Sequence, residues 1–87
     1  MFIAASLYEF KLASPRREAG FAYLNYVQGE IFDVSFLALS VCEAVLTDVQ
    51  VIGVKGEIWL ARNQDDQRGE IGWIWCKHFT KLADSSS

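Results

Sequence analysis

The sequence has a single proline, a single histidine and two cysteines. It also has no uncharged apolar run approaching the roughly 18–20 residues that a bilayer requires. The longest candidate, Val34 to Cys42, stops at Glu43, so membrane insertion is not expected. The opening Met1–Leu7 is apolar, yet it lacks a basic leader and meets Glu9 too soon for a signal peptide. Positive charge is scarce: eight Lys and Arg stand against eleven Asp and Glu, for a net charge of −3. That is the wrong sign for a domain that tracks phosphates, and Arg16-Arg17 is the only adjacent basic pair, so nucleic acid is not an expected partner. A secreted scaffold of this size normally carries four or more cysteines, so reduced thiols in the cytoplasm are expected for Cys42 and Cys76. Structural zinc needs four ligands at paired spacing, and here only Cys76 and His78 are close in sequence. With one histidine and no nucleophile motif, neither catalysis nor a cofactor is expected.

What is present is apolar and β-rich. The 87 residues are 52% hydrophobic and 14% aromatic, enough for one small domain and too much for a disordered chain. Period-2 alternation places Phe2, Ala4, Ser6, Tyr8 and Phe10 on one face of a first strand. Ala13 to Gly20, with Pro15 inside it, reads as a loop tip, and Phe21 to Val27 resumes a strand. Gln28-Gly29-Glu30 makes a turn before a strand from Ile31 to Phe36. Leu37 to Leu46 suits either a helix or a strand, with Thr47-Asp48 as a break and Val49 to Gly56 β-branched beyond it. Ile58–Arg62 and Ile71–Trp75 are strands around a polar hairpin tip, Asn63 to Glu70. Residues 83–87 read as a disordered tail. The expectation is an all-β fold of five or more short strands, a small barrel or sandwich.

Three phrases then stand in a recognisable order. Ser6-Leu7-Tyr8-Glu9-Phe10 resembles the "ALYDY" opening of a Src-homology-3 (SH3) domain. Leu24 to Val34 resembles its "LSFxxGDxIxV" segment, with Gly29-Glu30 at the diverging turn. Ile58 to Asn63, followed by Gly69 to Ile74, resembles "WWxARN…GxxGYIP", and Cys76 to Leu82 fits the closing "SNYVxxL". The resemblance implies a five-stranded, partly open barrel over residues 1–82. It further implies a non-catalytic module that holds proline-rich peptides between aromatic rings. Such ligands are already extended and lose little entropy on docking.

Carried over residue by residue, the resemblance gives Tyr8 and Phe10 as groove rings, Trp75 at the family's proline position and His78 at its tyrosine position. The groove tryptophan has two registers. One puts Ile58 in the groove with Ala61 in the core and packs better; the other puts Trp59 in the groove, preserves the ligand site and turns Arg62 inward. The specificity loop offers Tyr23 and Glu18, where a basic ligand residue could lie over the Tyr23 ring. Trp73 is expected to pack rather than to touch ligand.

The largest departure is residues 37–56, inserted between the second and third barrel strands at the n-Src loop. Val41, Val45, Leu46, Val49, Val51, Ile52 and Val54 are too many apolar groups for a bare loop. The segment is expected either to pack as an extra hairpin or helix or to present a surface to a partner. Two functions follow. The first is a protein–protein interaction module for extended, proline-rich or atypical peptides of another protein or of the same chain, within a larger cytoplasmic signalling or cytoskeletal adaptor. The second is a scaffold with a degenerate groove that docks intramolecularly or dimerises through the insertion.

Overall fold

The computed structural model describes residues 1–46 and 51–84, with side chains placed outside 43–54. It is all-β, built from β1 (Phe2–Ser6), β2 (Arg17–Glu18), β3 (Phe21–Ala22), β4 (Ile31–Leu46), β5 (Val51–Asn63), β6 (Ile71–Trp75) and β7 (Phe79–Asp84). A single 3-10 turn, Cys76–His78, joins β6 to β7. Five strands form one antiparallel sheet in the order β6-β5-β4-β1-β7, while β2 and β3 form a small separate hairpin. The chain thus returns its last strand to the side of its first.

Alternation explains β1. Phe2, Ala4 and Ser6 are buried and Ile3 and Ala5 half-buried, as a period-2 strand packed on one face requires. The strand ends at Ser6, four residues before Phe10, because Ser6 is pinned there. Its amide donates to the Glu30 carbonyl at 2.9 Å and its carbonyl accepts from Gly29 N–H at 2.9 Å. Its hydroxyl accepts from Glu30 N–H and donates to the Val27 carbonyl. Phe10, expected in this strand, lies beyond it and forms an isolated bridge to Tyr26.

The expected strand from Phe21 to Val27 is mostly irregular. Only Phe21 and Ala22 lie in β3, opposite Glu18 and Arg17, around a two-residue turn in which both Ala19 (φ 49°) and Gly20 (φ 87°) are left-handed. Beyond it the chain crosses β6: Tyr23 bridges Trp73 in parallel, and Leu24 N–H donates to the Trp73 carbonyl at 2.9 Å. This crossing covers β6, otherwise a sheet edge, and explains why Gly72, Trp73, Ile74 and Trp75 are all buried. Gly72 permits it, because a Cβ there would stand 2.6 Å from Leu24 Cδ2 and against the Ala22 carbonyl.

Residues 37–56 contain no helix among those described. They continue β4 and β5 into one long ribbon, paired from Ala38↔Trp59 to Leu46↔Val51. Cross-strand pairing of β-branched residues outweighs the helical spacing of Leu39, Cys42 and Leu46. A bulge starts the ribbon: Val34 to Ala38 advances four residues while Ala61 to Trp59 advances two. Phe36 and Leu37 project at this bulge, 78% and 50% exposed. The expected break at Thr47-Asp48 lies outside the described residues. Ala83 and Asp84, expected in a disordered tail, pair with Ile3 and Phe2 in β7, and Lys81 holds Asp84 in an ion pair; the rest of the expected tail, 85–87, lies outside the described residues.

The core has two parts. One gathers Phe2, Ala4, Tyr26, Phe32, Val34, Ala61, Ile74 and Phe79. The other gathers Tyr23, Ile58, Trp73 and Trp75, with Leu39 and Val41 from the root of the ribbon packed against it. Phe10 packs against both.

Candidate functional site

The segment after β1 and the 3-10 turn meet because Leu7 N–H donates to the His78 carbonyl at 2.7 Å. This contact brings Tyr8 edge-on to His78, with ring centroids 5.8 Å apart. Phe10 reaches the same imidazole at 5.6 Å and stacks on Tyr26 at 5.4 Å. Tyr8 is 58% exposed, while Phe10 and His78 are half-buried. Three residues read from the sequence therefore form one aromatic patch whose outer rim is open.

Tyr26 organises the patch from below. It is 2% exposed and its hydroxyl lies 2.7 Å from His78 Nδ1. The Trp75 backbone N–H donates to that hydroxyl oxygen at 3.4 Å, and in the Nε2–H tautomer of His78 the Tyr26 proton is donated to Nδ1. Burial and then the neighbouring Lys77 hold His78 below the ordinary histidine pKa. Burial pushes the Tyr26 phenol above its ordinary value, and both groups are neutral near pH 7. No sequence pattern singled out Tyr26, because its role depends on a bond across 52 residues.

The remaining candidates lie elsewhere. Trp75 is 4% exposed and sits beneath Tyr23, whose ring is 5.8 Å away. It is a buried core ring, not a half-exposed wall. The indole fits there because Gly56 has no side chain: a Cβ at Gly56 would stand 2.6 Å from Trp75 Cζ3. Ala61 and Arg62 follow the better-packed register, but Ile58 lies in the core and not in a groove. Ile58 is fully buried with Trp75 and Ala61 is in the core, while Arg62 stays exposed and pairs with Asp33 at 3.2 Å. Trp59 packs edge-on against Phe2 at 4.9 Å and donates its indole N–H to Glu57, so it does not join the aromatic patch. Trp73 packs as expected, its indole N–H donating to the Glu18 carbonyl at 2.6 Å.

The place over Tyr23 is occupied. The Arg16 guanidinium lies 4.7 Å from the ring centroid, and Tyr23 N–H donates to the Arg16 carbonyl at 2.9 Å. Glu18 enters this region through its backbone carbonyl. Pro15, Arg16, Leu12 and Asn25 help to line an adjoining cavity of about 210 Å³. A second cavity, about 220 Å³, is lined by Met1, Asp33, Ser35, Leu60, Ala61, Arg62 and Ile71 and includes none of the patch residues.

Cys42 is exposed on β4, Cys76 is half-buried in the 3-10 turn, and no disulfide joins them. Among the described residues no group of three or more His, Cys, Asp and Glu could hold a metal ion, and no helix is long and apolar enough to cross a membrane. The arrangement offers an exposed tyrosine ring, a half-buried phenylalanine and a half-buried imidazole, a surface suited to docking. Compared with known protein families, curated proteins and solved structures, the chain matches none.

Proposed function

We propose that this chain is a non-catalytic interaction module that docks extended, proline-rich or atypical peptide segments on the Tyr8–Phe10–His78 patch. In this reading it is a divergent Src-homology-3-like barrel within a larger cytoplasmic adaptor. The carrying observation is the convergence of Tyr8, Phe10 and His78 from two distant stretches of chain, with Tyr8 exposed and the half-buried His78 imidazole as the polar group between the rings. An extended segment needs such a surface: flat rings for its apolar ridges and a polar group for an otherwise unpaired carbonyl. The return of β7 to β1 and the crossing of residues 23–24 over β6 support a wrapped, barrel-like sheet. Affinity of this kind is roughly micromolar, about −8 kcal/mol.

Titration of the intact chain with a degenerate proline-rich peptide library, followed by amide chemical shifts, tests the reading. Shifts centred on Tyr8, Phe10 and His78 and lost in Tyr8→Ala are expected. Saturating peptide that leaves all three unmoved refutes it.

A second reading rests on the ribbon. From Val41↔Gly56 to Leu46↔Val51, β4 and β5 pair only with each other among the described residues, so both outer backbone edges are available to another strand. The chain would then associate through residues 37–56. Light scattering of the chain and of a version with 43–54 replaced by a two-residue turn separates the readings. A monomeric parent excludes the second.

A further inference from the structure

Building on the docking reading, we infer that the ligand is a proline-containing segment flanked by acidic residues, and that no basic anchor is accommodated. The position a ligand cation would take is already filled from within the chain. Arg16 lies over the Tyr23 ring, tied down by the Tyr23 N–H to Arg16 carbonyl bond. Trp75 packs against the same ring, tilted at a centroid distance of 5.8 Å, and Tyr23 is only 5% exposed, which leaves little ring surface for a second guanidinium.

Charge on the patch-bearing segments points the same way. Lys11, Arg16, Arg17 and Lys77 stand against only Glu9 and Glu18, although the whole chain carries eight cations and eleven acids. Glu9 is engaged by Lys11 at 3.2 Å. Lys77, next to His78, holds its ammonium 5.9 Å from the Trp75 ring. The segments that bear the patch thus carry a net excess of two positive charges on an acidic chain. That excess repels basic flanks and attracts acidic ones over about a Debye length.

Three synthetic decapeptides with one Pro-X-X-Pro centre, flanked on both sides by Glu, Gln or Arg, provide the test against the intact chain. Amide shifts at Tyr8, Phe10 and His78 give the dissociation constants. The Glu-flanked peptide should bind roughly three- to tenfold more tightly than the Arg-flanked one, as expected for a few exposed charge pairs. The preference should shrink in high salt and in the Arg16→Gln/Lys77→Gln double variant. A preference for Arg flanks, or affinities within twofold of each other, overturns the inference and leaves the docking reading standing. If none of the three peptides moves the patch residues, both fail.

Discussion

Two tyrosines show how a hydroxyl's partners decide its worth. Tyr26 holds both His78 and the Trp75 backbone, whereas the Tyr23 hydroxyl is buried with no hydrogen-bond partner among the described residues. An unpaired buried hydroxyl costs about 1–3 kcal/mol. Tyr23→Phe should therefore be neutral or stabilise by about 1 kcal/mol in denaturant unfolding. A loss of that size would instead show that the hydroxyl is satisfied. His78 yields a prediction about pH. Its folded-state pKa lies below the ordinary value, so the unfolded chain binds the proton more readily. Its contribution is complete above about pH 6.5 and is lost as pH falls towards the folded value. Physically, a protonated Nδ1 cannot accept the Tyr26 proton. The unfolding midpoint should drop between pH 7.5 and pH 5.5, and His78→Gln should flatten that slope. An unchanged slope in the variant would assign the drop to other groups.

At the scale of elements, the β2–β3 hairpin and the crossing over β6 carry the loop, and each depends on one backbone position. Positive φ at both turn residues is the geometry that Asn-Gly serves best, yet Ala19 occupies the first place at φ 49°. A left-handed alanine costs about 1 kcal/mol, so Ala19→Asn should raise stability by about that amount in thermal or chemical melts. No gain would mean that the hairpin is open in solution. Gly72 is the opposite case, since any side chain there meets the Ala22 carbonyl and Leu24. Gly72→Ala should destabilise by about 3 kcal/mol and expose Tyr23 and Trp73 to quenchers, because the crossing chain must lift. The sequence marked Ala13 to Gly20 as a loop tip through Pro15 and Gly20, but it did not show that Arg17–Glu18 pair as a strand within it. It gave no sign of the crossing, which joins residues some fifty positions apart and leaves only a glycine as its trace.

Over the whole molecule, what was legible follows contact distance. The β5–β6 hairpin was readable because two short apolar, aromatic-rich runs, Ile58–Arg62 and Ile71–Trp75, flank a polar tip. Residues 37–46 stayed ambiguous because a continuous apolar run has no period, and only pairing with β5 decides it. Tyr8, Phe10 and His78 were found through their motif positions and do meet. Trp75 and Trp59 occupied motif positions too, but burial beneath Tyr23 and packing on Phe2 depend on neighbours the motifs do not encode. The molecule is 49 Å long and about half as wide, and Trp75 lies across Gly56 where the ribbon leaves the body. An indole in that position carries a magnetic signature. One Gly56 α-proton points at Trp75 Cζ3 of the six-membered ring, so the ring current should set its resonance well apart from that of its geminal partner. An ordinary, nearly degenerate pair would mean that ribbon and body separate in solution. A single proton pair thus reports on how firmly the arm is held.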